Sequence, residues 1–172
     1  MADPVLRPLL FLDVDGPLIP FGPASQPHPT YRTGSQPAGD NSNPLLDRVN
    51  PSHGPRLEAL GCELVWATTW MTDANDSISP RLGLPDLPVV IWPDPGDDDE
   101  RSGLHWKTRA LVDWAAGRPF IWVDDELTDV DRAWVQANHR GRALLHLVDA
   151  GIGLGESDYL AISTWMSGED GL

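Results

Sequence analysis

The chain reads as an α/β domain: a doubly wound, Rossmann-like parallel sheet of about five strands, in the order 3-2-1-4-5, with helices on both faces. Three observations predict it. Short apolar runs recur along the chain, as in strands covered on both sides. Helix-forming segments alternate with those runs, which is the βα rhythm of parallel sheets with right-handed crossovers. Acidic or hydroxyl residues close several runs, at the ends where such sheets bind ligands.

The first strand is expected over about 8–14, where Leu9-Leu10-Phe11-Leu12 leads into Asp13-Val14-Asp15-Gly16. Residues 17–54 follow, rich in Pro, Gly, Ser and Asn, a long excursion of the kind that serves a function inside a compact domain. A short helix is expected at 55–60 and a second strand at 62–68, from Glu63-Leu64-Val65-Trp66-Ala67-Thr68-Thr69-Trp70. A helix at 70–78 and a strand at 88–92 come next. Asp94 to Arg101 reads as a solvated acidic loop; it lacks the spaced ligands and loop glycine of an EF-hand. The helix at 105–116 has Leu104, Leu111 and Trp114 or Ala115 as its buried stripe. The run Pro119-Phe120-Ile121-Trp122-Val123 predicts a strand at 119–123, closed by Asp124-Asp125-Glu126. A helix at 127–139, a strand at 143–148 and a helix at 157–167 complete the chain. Gly151 to Gly155 lacks nucleotide-loop spacing and is read as a loop into that last helix.

The 172 residues are read as a single domain, 1–172, with 17–54 as a flap or minimal cap insertion. The formal charge of −14 argues against binding phosphate backbones through a broad basic surface. Cys62 is the sole cysteine, which excludes an internal disulfide framework and fits a reducing compartment. With neither a secretory leader nor a run of membrane-spanning length, a cytoplasmic protein is expected. The five histidines show no metal-ligand spacing. Trp66, Trp92, Trp122 and Trp114 are read as packing residues, and Trp70 and Trp106 lie beside the polar segments that carry the chemistry.

Those segments begin with Asp13 and Asp15. Strand side chains alternate, so both leave the strand's end toward one side, and Gly16 permits a sharp turn and a close backbone approach. Two convergent carboxylates repel unless a cation or a proton sits between them. Lys107 is the only lysine beside eleven arginines, and its compact ammonium suits a point contact with a phosphoryl oxygen or a carboxylate. In a 3-2-1-4-5 order the strands ending at Asp13 and Asp124 are neighbours at the switch point, so the polar segments converge on one crevice.

Asp-x-Asp, then Thr, then Lys, then Asp-Asp, over residues 9–126, resembles the four motifs of the haloacid dehalogenase (HAD) superfamily of phosphatases and phosphotransferases, Asp13-Val14-Asp15-Gly16 being the most specific. The resemblance implies a magnesium-dependent phosphomonoester hydrolase acting through an aspartyl-phosphate. Asp13 would be the nucleophile and Asp15 the general acid and base. Thr68 would bind the phosphoryl group, with Thr69 and Gly16 beside it, and Lys107 would contact that group and Asp13. Mg2+ would bind Asp13, Asp15 through its backbone carbonyl, Asp124 and Asp125, with Asp129 an alternative to Asp125. It also implies that a cap is inserted where the flap lies; the flap's low apolar content favours a covering segment over a folded cap. Pro17 departs from the Thr or Val usual after the first motif.

The expected partner is a phosphorylated substrate, either a small molecule or an accessible phosphate on a macromolecule, with nucleic acid entering only as substrate and no membrane involved. The same site would serve a phosphotransferase, and a catalytically inactive HAD-like binding module is the reading from another class. A response-regulator receiver domain has its acidic pair first and its phosphoacceptor on the third strand, an order that this chain does not follow.

Overall fold

The computed structural model describes residues 6–23, 26–31, 43–94 and 101–168. Its sheet has four parallel strands: β1 (Leu9–Leu12), β2 (Glu63–Trp66), β3 (Phe120–Asp124) and β4 (Ala143–Leu147), in the order β2-β1-β3-β4. The helices are α1 (His53–Ala59), α2 (Asp73–Ser77), α3 (Ser79–Leu82), α4 (Thr108–Ala115), α5 (Asp129–Asn138) and α6 (Glu156–Met166), with a 3-10 turn at Pro44–Arg48.

Strand β1 shows why its sequence is apolar throughout. Leu10 and Leu12 face one core with Leu64, Trp66, Ile121 and Val123, joined by Leu57 of α1, Ile78 and Leu82 of the α2–α3 region, and Ile162 and Trp165 of α6. Leu9 and Phe11 face the other core with Val65, Phe120 and Trp122, closed by Leu111 and Ala115 of α4 and Val135 of α5. Residues of period two thus feed two separate cores, and a single polar substitution on β1 would sit unpaired in one of them.

The expected strand at 88–92 is reduced to a single parallel bridge, Trp66↔Val89. It lies where the order 3-2-1-4-5 puts it, outside β2, held by Trp66 N–H donating to Pro88 O (2.9 Å) and Val90 N–H donating to Trp66 O (3.0 Å). Pro88 opens the segment and Pro85 and Pro93 flank it, and proline cannot donate to a ladder. The helix expected at 70–78 starts late and is divided: Met71 has φ +52°, and Pro80 opens a separate helical turn. The other helices match to within three residues at either end. Among the described residues no helix is long and apolar enough to cross a membrane.

Register sets the site. Leu12 pairs with Trp66 on one side and with Val123 on the other, so Asp13, Ala67 and Asp124 leave the sheet at one level. The backbone continues that alignment: Asp13 N–H donates to Val123 O (3.1 Å) and Ala67 N–H to Leu12 O (2.9 Å). Of the 17–54 segment, residues 24–25 and 32–42 lie outside the described residues, as do 95–100 of the acidic stretch.

Candidate active site

Beyond Leu12 the chain makes a tight loop. Gly16 N–H donates to Ile19 O, and Leu18 and Ile19 N–H both donate to Val14 O. Pro17 fits because the loop asks nothing of the N–H it lacks. Gly16 has φ +98°, and a Cβ there would lie 2.7 Å from Asp125 Cγ. Glycine is therefore required twice, by the turn and by the approach of Asp125.

Oxygen atoms of Asp13, Asp124 and Asp125 lie within 4.8 Å of one another. Lys107, at the N-terminus of α4 and 3% exposed, enters from above the sheet. Its Nζ donates to Asp124 Oδ2 (2.8 Å) and to Ala67 O (2.9 Å), and stands 3.4 Å from Asp13 Oδ2. Asp124 accepts three further hydrogen bonds, from Trp122 Nε1 and from the backbone N–H groups of Asp125 and Glu126. Its carboxylate is saturated with donors, whereas Asp125 stays half-buried beside it and faces the cleft.

These environments separate the three acids. Burial pushes Asp13 up to about 7, with the neighbouring charges of Asp124 and Asp125 adding to it against the pull of Lys107 and of Val14 N–H. Burial also acts on Asp124, but the charge and hydrogen bond of Lys107 outweigh it and leave this group below the ordinary carboxylate range. Asp125 is raised to about 6, by burial first and then by Asp124. In the metal-free protein this is a poorly compensated anionic cluster, and a hard divalent cation is the species that such oxygen donors suit.

Asp15 lines the same cleft but stands outside that cluster, its Oδ2 accepting from Trp70 Nε1 at 3.2 Å. Thr68 and Thr69 part company at the end of β2. Thr68 is wholly buried, and its Oγ1 accepts from the Trp70 backbone N–H (3.2 Å). Thr69 is exposed and is the threonine that lines the cleft. Asp129, the alternative to Asp125, opens α5 with its side chain fully in solvent, paired to Arg132 at 3.1 Å. The cleft is completed by Phe21, His105, Trp106 and Glu126 at its rim.

A family model for the HAD domain in Swiss Army Knife RNA repair proteins matches residues 9–158. The chain belongs to this HAD family. Membership places it among HAD-type hydrolases and phosphatases. No curated protein and no solved structure gives a match.

One residue of this HAD domain has a role that its sequence context does not signal. Asp131 is completely buried, and its two oxygens accept from His105 N–H and Thr108 Oγ1 (both 2.8 Å) and from Thr128 N–H and Oγ1 (both 3.0 Å). It ties the loop carrying Lys107 to the helix that follows Asp124 and Asp125. Its one local signal, Thr-x-x-Asp at 128–131, reads as a helix cap and says nothing of the partners 23 and 26 residues away. The second such feature is the aromatic bracket around Lys107, whose Nζ lies 5.8 Å from the Trp92 ring centroid and 5.5 Å from that of Trp106.

Proposed function

We propose that the protein is a magnesium-dependent phosphomonoester hydrolase that works through an aspartyl-phosphate on Asp13. One observation carries the reading: a nucleophile-type carboxylate, a buried lysine and a second acidic pair meet at the carboxyl ends of two adjacent parallel strands. As substrate class we propose a phosphate at an end of RNA, a reading supported by the family's description as a HAD domain in RNA repair proteins.

Asp13 Oδ2 attacks phosphorus in line with the ester oxygen, forming the Asp13 Oδ–P bond as the P–O ester bond breaks. Asp15 delivers a proton to the departing oxygen, then takes one from the water that attacks the acyl-phosphate, releasing inorganic phosphate and restoring Asp13. The Trp70 indole N–H aims the Asp15 carboxylate, and the Trp70 backbone in turn is held by Thr68. Thr69 offers its hydroxyl to a phosphoryl oxygen from the cleft wall. Lys107, already fixed by Asp124 and Ala67 O, meets another of those oxygens and balances the charge of Asp13.

The donor set fits magnesium: hard carboxylate oxygens already grouped, and a glycine that leaves Asp125 room to join them. Asp13, Asp125 and the backbone carbonyl of Asp15 would hold the ion, with Asp124 beside them mainly orienting Lys107. When bound, it offsets charge on the phosphoryl group.

Hydrolysis of p-nitrophenyl phosphate, measured with and without magnesium and in Asp13→Asn, tests the proposal. Magnesium-dependent turnover that the variant loses is the expected result. Equal turnover in both proteins refutes Asp13 as the nucleophile. No turnover in either, extended to phosphorylated RNA ends, favours a binding module.

A further inference from the structure

We infer that the mouth of this cleft is a nucleobase subsite, in which Trp106 and Phe21 stack the base of the nucleotide carrying the phosphate; the inference rests on the phosphomonoesterase reading and refines its substrate. Trp106 is 38% exposed and Phe21 42%, although both rings are large and apolar, and both line the cleft that contains Asp13. Their exposure is not looseness. Trp106 is braced edge-to-face by Trp92 (centroids 4.9 Å, 80°) and stacked with His105 (5.5 Å, 27°). Trp92 is itself anchored, its Nε1 donating to Thr68 O at 3.0 Å. Phe21 sits on a turn pinned by its own N–H to Ala150 O (2.8 Å). Rigid aromatic rings held at the surface beside a phosphate site cost the protein solvated apolar area, and a flat aromatic ligand group is what they complement.

The charge of the cleft narrows the ligand. Among its described lining residues Lys107 is the one permanent cation, while Asp13, Asp15, Asp124, Asp125 and Glu126 are acids. That charge balance suits one phosphate held with magnesium, and any further phosphates of a chain would lie outside the cleft. Affinity beyond the reacting phosphate must then come from a neutral group, and base stacking is sequence-tolerant. The shared chemistry is a nucleobase one sugar away from a phosphomonoester, found both in a free nucleoside monophosphate and in the terminal nucleotide of an RNA.

Calorimetric titration of Asp13→Asn protein in magnesium buffer, with adenosine 5′-monophosphate, a 5′-phosphorylated trinucleotide and ribose 5-phosphate, tests this. The two base-bearing ligands are expected to bind about tenfold more tightly than ribose 5-phosphate, the size that stacking on an aromatic side chain confers. That ratio should fall toward one when Trp106→Ala is added. Phe21→Ala, on a separate loop, should lower it as well and serves if the tryptophan variant does not fold. A ratio near one in the parent, or one that survives both substitutions, overturns the subsite. Tighter binding of the trinucleotide identifies an RNA end, and tighter binding of the mononucleotide a free nucleotide. The two readings fail separately. Wild-type protein that hydrolyses all three ligands with no base preference retains the phosphatase and loses the subsite. A base preference without hydrolysis does the reverse.

Discussion

Replacing the nucleophile should make the metal-free protein more stable, and by an amount that depends on pH. Asp13 is 7% exposed and ionises at about 7 in the fold, against 3.8 for the free side chain. Below 3.8 the carboxyl is protonated in both the folded and the unfolded chain, and its burial carries no ionisation cost. Between 3.8 and about 7 the folded chain keeps a proton that the unfolded chain releases, so stability falls as the pH rises; above about 7 the loss is complete. At 1.36 kcal/mol per pH unit, the interval corresponds to on the order of 4 kcal/mol. The asparagine side chain of Asp13→Asn carries no charge at any pH, and its amide oxygen can still accept the Val14 N–H that Asp13 Oδ1 accepts at 2.8 Å. Asp13→Asn should therefore match wild type near pH 4 and exceed it at pH 8 in chelator, by a melting difference of about 10 °C if the whole cost is recovered. Scanning calorimetry from pH 4 to 8, with EDTA and then with magnesium, measures this. Magnesium should restore most of the deficit in wild type at pH 8 and do little for the variant, because a ligand stabilises the state that binds it. A variant less stable than wild type at pH 8 in chelator, or a pH-independent difference, would refute the claim that Asp13 is a destabilising buried charge.

Three further predictions concern the groups around it. Lys107→Met leaves Asp13 and Asp124 buried without their cation, and urea unfolding at pH 7.5 should show a loss of about 3–5 kcal/mol, as for other broken buried pairs. Gly16→Ala places a Cβ 2.7 Å from Asp125 Cγ at φ +98°; a stability loss of about 1–3 kcal/mol is expected, with a higher magnesium concentration needed for half-maximal turnover. Asp131→Ala strands the donors of His105, Thr108 and Thr128, so stability should fall by about 3 kcal/mol. Turnover should drop with it as Lys107 loses its mooring, and Asp131→Asn, which keeps the acceptor oxygen, should recover part of both.

The strands and their order were legible because they rest on local facts. A run such as Leu9–Leu12, apolar on both faces, has few places to go except a sheet covered twice, and β1 divides its side chains between two cores accordingly. The acids or hydroxyls that close several of these runs mark the strand ends, and parallel topology brings those ends together whatever the loops do. Asp13 was nameable from its place at a strand end and Lys107 as the sole lysine, while Asp124 and the choice of Asp125 or Asp129 drew their weight from the resemblance to the HAD motifs. The segment at 88–92 is apolar enough for a strand, but its prolines deny it ladder hydrogen bonds and leave a single bridge.

What tertiary structure decided is where each side chain on a turn points. Asp125 and Asp129 are the same residue type four positions apart; the helix phase set at Thr128 turns Asp129 into solvent, while the gap left by Gly16 admits Asp125 to the cluster. Thr68 and Thr69 are adjacent and identical, yet one is buried under the Trp70 backbone and the other lines the cleft. Asp131 resembles any helix-capping acid until the fold brings His105 and Thr108 to it across more than twenty residues. Sequence pattern determines strand, period and strand end, because these depend on neighbours along the chain. Burial, donor count and the direction of a side chain at a turn depend on neighbours in space, and only the packed fold supplies them.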